Sequence, residues 1–126
     1  MNYFGASVNE QPVIAEKAGA LIANGAGKGV KYDTNGNVVL AAAGDAVCGV
    51  LIMQTPAEVP AGDDVTIQIK DIGYVLAGGT FKKGDALATN ADGAFIKATG
   101  KACARALEDG AAGKYVHAHV CIVPTV

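Results

Sequence analysis

Charge is what this sequence has least of. Only 17% of its 126 residues are charged, against roughly a quarter in an ordinary soluble domain. Arg105 is the sole arginine and no basic stripe exists. Proteins that track phosphate backbones need clustered Lys and Arg to displace counterions, so no nucleic-acid partner is expected. Tryptophan is absent, and Ser7 is the sole serine. No stretch approaches the roughly 18–20 consecutive apolar residues of a membrane helix, so no membrane partner is expected either. Residues 1–5 carry no basic segment leading into an apolar run, which predicts a chain without a secretory leader, made in the cytoplasm and used there or released by lysis. The three cysteines, Cys48, Cys103 and Cys121, are an odd number. That argues against a closed disulfide framework and for small buried hydrophobes in a reducing compartment.

What the chain has in abundance is small and β-branched residues. It holds 24 alanines and 17 glycines, and its 14 valines and 8 isoleucines stand against 6 leucines. The bias is toward strands. Hydrophobic residues make up 51%, too many for a disordered chain, and the glycines follow no three-residue period, which excludes collagen. The length suits one domain. A small domain with so few charges has little to cover its surface with, so part of that surface is expected to lie against another protein, as a symmetric homo-oligomer or a docked layer.

Residues 1–12 read as a polar arm with two aromatics, Tyr3 and Phe4, near its tip. It reads either as an ordinary chain end or as an anchor that orders on a partner. Residues 13–126 read as a single β-domain. Short apolar pieces at 13–16, 21–23 and 29–32 precede Asn35-Gly36, a hairpin turn signal, and then 37–41. Residues 47–53 form a continuous apolar run, long enough for a strand buried on both faces. A loop follows, with a short helical turn expected at 56–59. Residues 65–70 alternate cleanly; Asp71 and Gly73 then bend the chain before a strand at 74–76. Strands are expected at 86–89 and 95–97 around Asp92-Gly93, and at 115–123.

A weak internal repeat organises these pieces. Lys28-Gly29 answers Lys83-Gly84, Asn35-Gly36 answers Asp92-Gly93, Cys48 answers Cys103, and Ala61-Gly62 with Val65 answers Ala112-Gly113 with Val116. The expected fold is therefore all-β: a small barrel or sandwich of two similar β units behind an extended N-terminal arm. Residues 101–109 favour a helix on propensity, but the repeat places a strand there, and the strand reading is taken.

Candidate chemistry is sparse. His117, His119 and Cys121 share one strand face and suggest zinc. The outer two, however, stand roughly 13 Å apart along a strand, beyond the reach of one ion, and no metal is expected. The segment Phe81-Lys82-Lys83-Gly84-Asp85-Ala86-Leu87 looks like a turn of biotinyl and lipoyl carrier domains, yet Lys70 and its neighbours lack the flanking pattern of a modified lysine. The glycines spell neither a dinucleotide fingerprint nor a phosphate loop. No nucleophile constellation emerges, and the chain reads as neither an enzyme nor a cofactor carrier.

The punctuation of the chain resembles that of small capsid decoration (cement) proteins of tailed bacteriophages. The features are Gly29-Val30-Lys31-Tyr32-Asp33, Cys48-Gly49-Val50-Leu51, Ala61-Gly62-Asp63-Asp64-Val65, Lys83-Gly84-Asp85-Ala86-Leu87 and Asp92-Gly93; Cys103-Ala104-Arg105-Ala106 departs from the Gly-Val of the first unit. The resemblance implies a non-enzymatic virion protein that binds the outside of an assembled capsid and stiffens it, as a trimer in contact with the major capsid protein. With the aromatic arm, it points to Tyr3, Phe4, Val8, Asn9 and Gln11 as the capsid contact. A tail or other head accessory module is the alternative, and a cofactor-carrying or small metal-binding domain a more distant one.

Overall fold

A computed structural model describes residues 12–122. They form twelve strands: β1 (Val13–Lys17), β2 (Ile22–Ala23), β3 (Gly29–Tyr32), β4 (Val38–Leu40), β5 (Gly49–Leu51), β6 (Glu58–Val59), β7 (Asp64–Gln68), β8 (Lys70–Leu76), β9 (Ala86–Thr89), β10 (Phe95–Lys97), β11 (Ala104–Ala106) and β12 (Tyr115–Cys121). The described chain is all-β and sandwich-like. One sheet has the order β1-β7-β5-β3-β4, a second β10-β9-β11-β12-β8, and a third pairs β2 with β6.

Read from its other edge, the second sheet is β8-β12-β11-β9-β10, the order of the first with each strand replaced by its repeat counterpart. The sequence repeat is thus a repeat of topology. Asp33 Oδ1 accepts from the N–H groups of Asn35 and Asn37, and Asn90 Oδ1 accepts from those of Asp92 and Ala94. Cys48 N–H donates to the Val30 carbonyl, and Cys103 N–H to that of Leu87. One pairing is corrected. Gly84 corresponds to Gly27, not to Gly29: both have positive φ, and their N–H groups donate to the matching carbonyls of Ala106 and Leu51. Each sheet is also rolled until its ends meet. Ala18, just past β1, bridges Val38 of β4, and Ala77, just past β8, bridges Phe95 of β10. Rolling covers edges that would otherwise template aggregation.

Each half encloses its own apolar cluster. The first gathers Ile22, Val30, Val38, Leu51, Val59, Val65 and Ile67. The second centres on Phe81, Leu87, Phe95, Val116 and Val120, and it also takes in Ala41, Val47 and Val50 from the first half. β5 is therefore buried on both faces, as its unbroken apolar run predicts: Leu51 points into its own half and Val50 toward the other.

Several expected boundaries move. Residues 101–109 do contain a strand, β11, because Ala104 pairs with both β9 and β12. No helical turn forms at 56–59. Val59 must be buried against Ile22, and pairing β6 with β2 satisfies the backbone there at the same time. The alternation at 65–70 ends one half at Gln68, and β8 begins at Lys70. Asp71, with φ 66, absorbs the bend inside β8 rather than ahead of it. β12 ends at Cys121. The arm residues lie outside the described region, apart from Pro12, whose carbonyl accepts the Ile69 N–H at 2.8 Å.

The halves join through backbone and one side-chain hydroxyl. Gly29 N–H donates to the Gly93 carbonyl at 2.9 Å, Leu76 N–H to the Gly27 carbonyl at 2.8 Å, and Thr89 Oγ1 to the Ala42 carbonyl at 3.0 Å. A Cβ on Gly29 would stand 2.6 Å from Thr89 Cγ2, closer than side chains tolerate. The hairpin at 90–93 is thus seated on the first half through atoms that carry no side chain.

Two stability predictions follow from this packing. A Cβ at Gly110 would lie 2.3 Å from Cζ of the buried Phe81 ring, so Gly110→Ala is expected to cost about 1–3 kcal/mol in urea unfolding. Replacing either turn acceptor with Ala removes two hydrogen bonds. Asn90→Ala is expected to cost more than the about 1 kcal/mol expected of Asp33→Ala, because the Asn90 turn also seats the seam. Equal midpoints for these two variants would contradict that account of the seam.

Candidate functional site

The face most open to a partner lies on the second sheet. Directly paired residues of antiparallel strands share a face, so β8 and β12 set Ile72 beside His119, Tyr74 beside His117 and Leu76 beside Tyr115. The opposite face of β12, Val116, Ala118 and Val120, fills the core. Ile72 is 62% exposed and Tyr74 44%, high values for large apolar side chains in paired strands. Beside them a shallow groove of about 590 Å³ is lined by Asp71, Ile72, Leu107 and His119. A smaller one, of about 240 Å³, runs along Ile52, Met53, Gln54, Gln68, Gly73 and Tyr74 at the junction of the halves.

His117 is fixed in this face. Its ring lies against Tyr74, centroids 4.3 Å apart and planes tilted by 34°. Its backbone N–H donates to Glu108 Oε1 at 2.8 Å, and its Nδ1 stands 3.3 Å from the same oxygen. The backbone hydrogen bond is the main cause holding the Glu108 carboxyl below its ordinary range. Glu108, Tyr74, Ile72 and Leu107 all escape a reading based on sequence neighbours. They meet only because β8 pairs with β12 and the 107–108 turn folds back onto them. The one available signal is an isoleucine and a tyrosine at alternate positions, the first in a segment that sequence alone reads as a bend and the second opening the expected strand at 74–76.

The structure spreads the other sequence candidates apart. His117, His119 and Cys121 do share the outer face of β12, but His117 is engaged by Glu108 and Tyr74 while His119 faces the groove with Asp71. Among the described residues no group of three or more His, Cys, Asp or Glu side chains is placed to hold a metal ion. Lys70 opens β8 opposite Cys121 rather than standing at a hairpin tip. The turn at 82–85 is held internally, with Asp85 Oδ2 accepting the Lys82 N–H and Asp109 Oδ1 the Lys83 N–H. Tyr3, Phe4, Val8, Asn9 and Gln11 lie outside the described residues, as does Ser7.

The cysteines divide by environment. Burial pushes the Cys103 thiol up to about 12 and, with help from the Glu16 carboxylate, the Cys48 thiol up to about 11. Cys121 is exposed. Since the thiolate is the reactive form, iodoacetamide at neutral pH is expected to label Cys121 first, with all three cysteines reacting only after denaturation. Equal labelling of all three in the native protein, read by intact mass, would contradict the burial of Cys103 and the half-burial of Cys48.

No family model and no curated protein matches the sequence. Among solved structures, the chain is similar to the head fiber gp8.5 N base of bacteriophage phi29, with a TM-score of 0.68 and 20% sequence identity, over 90% of this chain and 97% of that one. At that identity the likeness is one of fold, and it spans both β units.

Proposed function

We propose that this protein is a non-enzymatic structural component of a phage virion, bound as a trimer to the outer surface of the assembled capsid, where it stabilises the shell. The observation that carries this reading is the two-unit fold shared, nearly end to end, with the base of a phage head fiber. The surface agrees with it. The most open face is a shallow apolar and aromatic sheet rather than an enclosed cleft, and enclosed clefts are what small-molecule sites favour. Exposed Ile72, Tyr74 and Tyr115 beside histidines, with few acids or lysines at the centre, match the composition of protein interfaces.

On this reading the arm supplies the capsid contact through Tyr3, Phe4, Val8, Asn9 and Gln11. It leaves the domain at Pro12, which is tied to Ile69 at the junction of the halves. Many copies on a repeating shell add small interfaces, so modest single contacts sum to a stable layer. A chain that lacks residues 2–11 keeps every described strand and is expected to melt within a few degrees of the full chain. It is expected not to co-sediment with capsids that the full chain coats. Undiminished occupancy by the truncated chain would remove the arm from the contact, and failure of the full chain to bind any capsid surface would sink the proposed function.

A further inference from the structure

The two halves have the same topology but unequal surroundings, and the inequality runs one way. The hairpin at 90–93 is covered: a Cβ on Gly93 would lie 3.1 Å from the Ala41 carbonyl oxygen and 3.3 Å from that of Gly29. Its counterpart at 33–36 is bare, with nothing within 4 Å of the corresponding position on Gly36. The seat that receives the covered hairpin is formed by Gly29, Ala41 and Ala42, with Val47 and Val50 buried alongside. The matching residues of the second half are Ala86, Ala98, Thr99, Ala102 and Arg105, and none of them is buried. Ala86 already accepts from the Ala98 N–H as Gly29 does from that of Ala41, so the backbone of the seat is in place. The contact inside the chain is therefore head-to-tail, and it leaves one hairpin and one seat unused.

We propose that the hairpin at 33–36 of one copy docks over the open seat around Ala86 and Ala98 of a second copy, in the orientation that joins the halves within one chain but at a wider spacing, because Ala86 carries the Cβ that Gly29 lacks and Tyr32 stands where Thr89 does. A heterologous contact of this kind closes into a ring or runs on as a filament. In the trimer of the proposed function, on which this inference builds, it sets six β units in succession. Charge favours the pairing. Where the inner seat has Val50, paired with Gly29, the open one has Arg105, exposed and paired with Ala86; where the covered hairpin starts at Asn90, the bare one starts at Asp33, with Glu16 close by on Tyr32. Apolar residues line the permanent contact, and opposite charges line the reversible one. Charge complementarity of this kind steers encounter and selects partners.

The test is light scattering of the full chain over a range of concentrations at low ionic strength. The wild type is expected to associate, more weakly as salt is raised because exposed charges are screened. Thr34→Lys puts a cation on the hairpin tip, and Ala98→Arg fills the seat. Each variant is expected to weaken association about tenfold or more, since each sets an unpaired charge in the contact, with its melting temperature unchanged. Each variant keeps the surface that the other has lost, so an equimolar mixture is expected to give dimers and nothing larger. A wild type that stays monomeric throughout, variants that associate as the wild type does, or a mixture that stays monomeric would each overturn the proposal. A chain that stays monomeric yet still coats capsids would leave the capsid binding of the proposed function standing and remove this inference together with the trimer; copies that assemble but ignore capsids would do the reverse.

Discussion

Where the two halves of this molecule meet, main chain must pass against main chain. Gly29 and Gly93 meet with no side chain between them, and a Cβ on Gly27 would lie 2.9 Å from the Leu76 nitrogen. This close approach lets Val47 and Val50 reach the second core and buries β5 on both faces. It also gives the pair a direction. One half offers a seat, the other fills it with a hairpin, and the opposite ends of both are left open.

That direction connects packing to function. A contact that mapped each half onto the other would close the molecule on itself and leave equivalent surfaces. Here the first half spends its outer face on the second, while the second presents Ile72, Tyr74, Tyr115, His117 and Arg105 outward. Few charges are available to cover such a surface, and several of them hold local structure: Asp33 and Asp85 hold turns, and Glu108 holds His117. A chain built this way has surface to share with neighbours and few groups with which to build a reaction centre.

The architecture was legible in the sequence because turns carry strong local signals. Asn35-Gly36 and Asp92-Gly93 require positive φ at their glycines, both show it, and their spacing exposed the doubling. The strand at 104–106 was legible only through that doubling, since its alanines favour a helix in isolation and pairing on both sides overrides them. The beginning of β8 was illegible: Asp71 and Gly73 read as a bend, and Asp71 does take a positive φ, yet pairing with β12 carries the strand through both. The open face was hidden for the same reason. His117 and His119 were visible as a pair, but Tyr74, Ile72, Leu107 and Glu108 reach them through long-range pairing that no local pattern encodes. The direction of the seam was invisible as well, because it depends on which hairpin tip is covered, and the two tips follow the same Asx-x-Asx-Gly pattern.

The central claim is that this two-unit β body is a part of a phage particle, attached to the outside of its head. Electron cryomicroscopy of intact particles, made with and without this chain, measures that most directly. The account predicts density on the outer capsid surface that disappears when the chain is missing and that accommodates both rolled sheets. Particles that lack such density, or that carry the chain inside the head or solely on the tail, would contradict it.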